Sequence, residues 1–267
     1  MIDFDPKKYW EDRLAQNYDL EGVGCLGLGV NFNRWLYRVR SIAFSRVLRN
    51  LPIDISKASV IDIGSGTGFY LNEWMKHNPR FLAGSDIAIT ACDNLRKKFK
   101  ATEIYHLDIG ALDFQNPRSE SFDIASAFDV LFHIVDDAAY YRAFKNIAGM
   151  LSPDGFLIFS DNFIHGREIR LEHFVSRSFD KIENALHDAG FELLNKIPMF
   201  KLMNIPLDNP SKFREFLWRR IKKYASKSEM MGNMIGAILY PIETMLILNS
   251  SESASTEIAI ARKKRRN

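Results

Sequence analysis

The sequence predicts an α/β protein built on an open, mostly parallel sheet with helices on both faces. Three observations carry this. The β-branched run Val60–Ile63 leads into glycines at 64, 66 and 68 and then into a segment that can be helical. From there to Ile197 strand-like and helix-like segments alternate. Aspartates stand where strands end, at 86, 108 and 161, and ligands of such sheets bind beyond the carboxyl ends of the strands.

Taken in order, Tyr9–Leu14 reads as helix and the glycine-rich piece Gly22–Gly29 as loop, since it is too permissive for a strand interior. Asn33–Leu48 carries an apolar helical stripe of Trp35, Val39, Ile42, Ala43 and Val47, with Arg34, Arg38 and Arg40 mostly on other faces. Strand one is Val60–Ile63, followed by a helix over Tyr70–Lys76. Strand two runs Arg80–Ser85 to Asp86, with a helix over Thr90–Phe99. Strand three runs Thr102–Leu107 to Asp108, and strand four is Phe122–Phe128, followed by a helix over Ala138–Leu151. Ser152-Pro153-Asp154-Gly155 has turn composition. Strand five runs Phe156–Ser160 to Asp161, a helix over Phe179–Ala189 stops at Gly190, and strand six is Phe191–Ile197. A long interruption follows, with a basic amphipathic helix over Asp208–Lys223 and an apolar, sulfur-rich stretch over Met230–Leu248. Thr256–Arg262 is a final strand. The expected organisation is a helical cap at 1–57, a core at 58–198, a helical lid insertion at 199–255, and a closing strand with a basic tail at 256–267.

The totals exclude little but set the class. With 267 residues, 46% apolar and 26% charged, the composition is ordinary for a globular chain. A net charge of +3 is too small to argue for nucleic acid. The run Arg262–Arg266 is either a solvated end or a contact for phosphate or anionic lipid. Two cysteines, Cys25 and Cys92, form neither a metal-ligand spacing nor a disulfide framework, which suits a reducing, cytoplasmic setting. The start, Met1–Asp5, lacks the basic and apolar regions of a secretory signal. No metal-binding cluster is visible.

The glycine turn is where chemistry is expected. Its spacing, Gly-x-Gly-x-Gly, is neither the dinucleotide fingerprint nor a phosphate-binding P-loop. Unpaired N–H groups at the following helix start suit an anion or the polar tail of a nucleotide-like cofactor. Asp62, inside strand one, is a carboxylate that needs a partner, and a ligand ammonium would supply one. Asp86 can hold a ribose diol, and Asp108 can accept from an exocyclic adenine amine while the Ile109 N–H meets a ring nitrogen. Each aspartate alone could equally be a helix N-cap or turn residue; together with the glycine turn they read as a site.

These residues resemble a family. Val60–Tyr70, Gly84–Asp86, Leu107-Asp108, Phe122–Asp137 and Leu151–Asp161 together look like class I S-adenosylmethionine-dependent methyltransferases, over roughly Ala58–Ile197 plus the closing strand. The resemblance implies seven strands with the last inserted antiparallel between the fifth and sixth. It implies S-adenosylmethionine as cofactor, held by Asp62, Gly64, Ser65, Gly66, Asp86, Ile87, Asp108, Ile109 and the backbone of Phe128. Phe122-Asp123 with Leu131–Asp136 is similar to small-molecule and sugar O-methyltransferases of the ubiquinone/menaquinone-like type, many of which carry two histidines where this chain has Phe132-His133. Asp161 matches an acidic position of some sugar methyltransferases. The Pro-Pro signature of amino-methylating DNA enzymes is absent at Ala127–Val130.

The expected reaction is therefore methyl transfer to a hydroxyl of a small-molecule or glycan acceptor, with His133 or Asp161 as base and no nucleic acid partner. N-methylation, a nicotinamide oxidoreductase and a catalytically silent interaction module are the alternatives. The glycine spacing, Asp108 and the long leader oppose the oxidoreductase. The excursion Met199–Ser255 is expected to act as a lid that, with the leader, walls the acceptor pocket and brings Tyr240 or Glu243 to the acceptor. Peripheral membrane contact ranks second for it and a homodimer interface third. A spanning helix is opposed by Asn233, Pro241 and Glu243 within Met230–Asn249.

Overall fold

The computed structural model describes residues 4–118 and 121–265. Met1–Asp3 of the expected signal-free start and Arg266 of the basic tail lie outside the described residues. Two helices come first, α1 (Pro6–Gln16) and α2 (Gly29–Arg49). Asp5 caps α1 by accepting from the Lys8 N–H at 3.1 Å, and Pro6 sits where a missing N–H costs nothing. The alternating part then runs β1 (Ser59–Ile63), α3 (Phe69–Met75), β2 (Phe81–Asp86), α4 (Ile89–Lys98), β3 (Glu103–His106), β4 (Phe122–Ala127), α5 (Asp137–Met150) and β5 (Leu151–Asp161). A two-stranded hairpin, β6 (Ile169–Arg170) with β7 (Val175–Ser176), precedes α6 (Phe179–Asp188) and β8 (Phe191–Pro198). The excursion holds α7 (Lys212–Ala225) and α8 (Glu229–Asn249), and β9 (Glu257–Lys263) closes the sheet.

The seven-stranded sheet has the order β3-β2-β1-β4-β5-β9-β8. The strands β1 to β5 pair in parallel, and β9 is antiparallel to both β5 and β8. This is the expected topology. Its two-sided burial follows from strand period: Val60, Ile124, Ile158, Ile258 and Ile260 join one core with α2, α7 and α8, while Ile61, Ala125, Leu157, Ala259 and Ala261 join the other with α5 and α6.

Three details depart from the sequence reading. Ser152–Gly155 is not a free turn but lies within β5 as an irregularity: Leu151 pairs with Phe122 and Phe156 with Ile124, so the intervening residues bulge, and Asp154 takes φ 64°. The β6–β7 hairpin is too short to carry an alternation signal. Arg40, expected on a polar face, is buried and paired with Asp129 at 2.9 Å.

Candidate active site

Beyond the carboxyl ends of β1, β2, β3 and β4 there is a cavity of about 320 Å³. The β1–α3 turn forms its floor. Gly64, Gly66 and Gly68 have φ of 68°, 52° and 81°, and a Cβ on Gly64 would stand 2.3 Å from Val130 Cγ2. Only glycine fits a backbone that bends this way this close to its neighbours. The Ser65 N–H donates to the Ser85 carbonyl at 2.8 Å and its Oγ to the Asp62 carbonyl at 2.9 Å, which fixes the turn on the sheet.

Asp86 ends β2 and lines the cavity. Its carboxylate accepts from the Gly66 N–H at 2.8 Å and the Ala88 N–H at 3.0 Å. Each oxygen retains a lone pair for a further donor. Burial pushes its pKa up, against those backbone donors. Ile87, Asp108 and Ile109 join the same wall. Asp108 accepts from the Gly110 N–H at 2.9 Å, and the Ile109 carbonyl accepts from Asn146 at 2.8 Å, so this segment is held from α5.

Asp62 lies beneath the cavity and is not in its lining. It is 1% exposed, and Oδ1 accepts from Ser126 Oγ at 2.7 Å, which in turn accepts from Trp74 Nε1 at 3.0 Å. Burial raises its pKa to about 7, against the hydrogen bonds from serines.

The lining is also aromatic: Trp10, Tyr37, Phe69, Tyr70 and Phe128. Tyr70 stacks on Phe128 with ring centroids 3.9 Å apart, and its buried hydroxyl has no hydrogen-bond partner among the described residues. His133 stands here too. Its Nδ1 is 2.8 Å from the His173 carbonyl, an acceptor only, so Nδ1 carries the proton and Nε2 keeps its lone pair. Trp10 meets the ring edge-on at 4.9 Å. Burial lowers the His133 pKa to about 4, so the ring is neutral near pH 7.

The other candidates are elsewhere. Asp161 is fully buried behind the cavity, accepting from the Asn162 N–H at 2.7 Å and the Tyr140 hydroxyl at 3.2 Å. Its place at the end of β5, with the side chain turned toward α5, removes it from the cavity wall. Glu243 and Tyr240 also lie outside the lining. Glu243 is 0% exposed and accepts from the Lys201 and Leu202 N–H groups at 2.6 and 2.8 Å; Tyr240 packs on Trp35. The excursion contributes no lining residue, because α8 docks along α2 rather than over the strand ends.

The leader does contribute, through Phe4, Pro6, Trp10, Leu14, Val23 and Tyr37. Tyr18 donates to the Gly66 carbonyl at 2.9 Å, and Glu11 accepts from the Thr90 N–H and hydroxyl, so the segment around α1 is bolted over the glycine turn. Asp129 lines the cavity with its carboxylate held by Arg40. It stands at the exit of β4, the same signal that marked Asp86 and Asp108.

A model of the methyltransferase domain matches residues 35–196. A ubiquinone biosynthesis O-methyltransferase of Neisseria meningitidis is 24% identical over 110 residues, 40% of this chain and 45% of that protein. The match thus spans about half the length of that curated relative. An EEF1A lysine methyltransferase 2 of Danio rerio is 26% identical over 206 residues, 72% of this chain and 77% of its own. Among solved structures, magnesium protoporphyrin IX methyltransferase from Synechocystis with bound S-adenosylmethionine superposes with a TM-score of 0.56 at 14% identity, covering 99% of this chain and 100% of that one. N-methyltransferase NodS from Bradyrhizobium japonicum with S-adenosylhomocysteine gives 0.54 at 16%, covering 97% and 99%.

Proposed function

This chain belongs to the methyltransferase domain family, and from that premise we propose that it transfers a methyl group from S-adenosylmethionine to a hydroxyl of a small-molecule or glycan acceptor. The observation that carries the reading is one cavity lined both by the glycine turn with Asp86 and Asp108 and by neutral His133 among aromatic rings. The residues fit the cofactor. Asp86 has acceptor capacity left for a ribose diol, Asp108 for an adenine amine, and a side chain on Gly64 would strike Val130 of the same lining. The Phe128 backbone and Ile109 complete the set, with Ser65 and Gly66 shaping the turn. Asp62 acts from below, as a positioning residue whose carbonyl accepts from Ser65 Oγ in the turn while its carboxylate is held by Ser126 of β4.

When bound, S-adenosylmethionine supplies an electrophilic methyl group on a sulfonium. The chain's own residues do the rest. Tyr70, Phe128 and Trp10 exclude water and orient an acceptor. His133 Nε2 takes the acceptor proton, its tautomer held by the His173 carbonyl. An amine acceptor is the second reading, supported by the extent of the match to the lysine methyltransferase.

The test has two steps. Calorimetry should show S-adenosylhomocysteine binding and no NAD binding; the reverse result would sink the cofactor reading. Transfer of labelled methyl to a panel of alcohols, phenols, sugars and amines then separates the two acceptor classes.

A further inference from the structure

The helix α8 has its charge on the wrong side for a surface helix in water. Met230, Met234, Ile238, Ile242, Met245 and Leu248 recur at helical spacing and are all exposed, Met230 at 69% and Ile238 at 63%. Between Glu229 and the end of the helix the single residue charged at neutral pH is Glu243, and it points inward. Ala237 and Pro241 lie exposed on the same face, with Asn233 at its margin. A helix at a water interface ordinarily alternates an apolar inner stripe with a charged outer one. Here the outer stripe is apolar over the full length, larger than singly scattered surface apolar residues explain.

The neighbouring helix supplies the complement. On α7, Lys212, Arg219, Arg220, Lys222 and Lys223 are exposed beside the exposed rings of Phe213 and Phe216, with Glu215 the one acidic residue of the helix. From this combination we infer that α7 and α8 form a docking surface for an anionic phospholipid bilayer, with the α8 stripe entering the interface and the α7 cations at the headgroups. Charge decides the occupant. A symmetric contact between two copies through this face would bring the two cationic helices near one another, whereas anionic headgroups neutralise them.

The helix is long and apolar enough by length and composition to cross a membrane, yet its inner side is committed to the domain. Trp35 Nε1 donates to Asn233 at 2.9 Å, Glu229 accepts from the Val30 and Asn31 N–H groups at 2.9 and 2.7 Å, and Gly236 packs against the Trp35 ring. Glu243 carries the backbone of 201–202. A helix held this way lies on a bilayer rather than through it. The surface is built from residues outside the cavity, so the inference is independent of the reading of the active site.

Cosedimentation of the full chain with phosphatidylcholine vesicles, with and without phosphatidylglycerol, tests it. Binding is expected only with phosphatidylglycerol and is expected to weaken as salt is raised. The double variant Ile238→Glu/Met245→Glu should lose about tenfold or more, and Arg219→Glu/Lys223→Glu a similar amount. Both should keep wild-type S-adenosylhomocysteine affinity. Brominated phospholipid should quench wild-type tryptophan fluorescence, which needs no variant. No binding of wild type to anionic vesicles overturns the proposal, and so does unchanged binding by both double variants. A wild-type dimer that Ile238→Glu/Met245→Glu converts to monomer, with no vesicle binding, overturns it in favour of a second copy of the chain.

Discussion

Asp86 joins two tasks in one carboxylate: it fastens Gly66 and Ala88 by their N–H groups, and it faces the cavity. Asp86→Ala should therefore weaken S-adenosylhomocysteine binding by about tenfold or more in calorimetry, since charge-assisted bonds contribute roughly 1.5–3 kcal/mol each. An unchanged dissociation constant would refute its place in the cofactor wall. His133 makes a separable prediction. His133→Ala should lower kcat by about 100-fold or more while leaving cofactor affinity alone. Because burial lowers its pKa to about 4, wild-type kcat/KM should stay level as pH falls from about 8 to about 5, where an ordinary histidine would already have lost activity. At this scale the sequence placed carboxylates at strand exits, and the structure puts two of them, Asp86 and Asp108, in the cavity lining. The sequence could not tell which way each points. Asp86 and Asp161 give the same signal, yet one faces the cavity and the other Tyr140. Asp129 carries the same strand-exit signal and went unmarked; what the sequence hides is its pairing with Arg40, far away in the chain.

Among the elements, α8 shows what periodicity can and cannot say. Its length and apolar content were plain in the sequence, and so was the final strand. Its neighbour was not, because a helix apolar on all sides gives no preferred face. Small residues settled the docking: Gly232 and Gly236 are buried and let the α8 backbone approach Phe32 and Trp35 on α2. Glu243 then serves the excursion itself. Glu243→Ala leaves the Lys201 and Leu202 N–H groups without their acceptor, each costing about 1–3 kcal/mol. The variant should melt several degrees lower with cofactor affinity retained. An unchanged melting temperature would show that water replaces the carboxylate there. The helix α1 behaves oppositely. Trp10 touches both the cavity and His133, so Trp10→Ala should raise KM for the acceptor and cost little stability, read by steady-state kinetics beside thermal melting.

For the molecule as a whole, buried ionisable groups shape stability against pH, and Asp62, Asp161 and His133 are shifted far enough to set a window. Burial raises Asp62 and Asp161 to about 7, so the folded chain holds more protons there than the unfolded one. Their contribution is complete below the ordinary carboxylate pKa and is lost as pH rises toward about 7. His133, lowered to about 4, works the other way: its contribution is present above about 6.5 and is lost as pH falls toward about 4. Two groups oppose one, so from these residues the melting temperature should fall between about pH 5 and about pH 8. Asp62→Asn should flatten that fall; an identical slope in the variant would show that Asp62 ionises in the folded chain as it does in the unfolded one.

The position of β9 has a consequence for how the chain is made. It fills the gap between β5 and β8, and the residues that encode it follow all the other strands. On the ribosome, β5 and β8 must therefore emerge with unpaired edges and wait through the synthesis of α7 and α8 before the sheet can join. Until then the nascent chain offers open strands to any neighbour. Stalled chains ending before Glu257 should bind chaperones, and lengthening the stall past Lys263 by enough linker to clear the exit tunnel should release them.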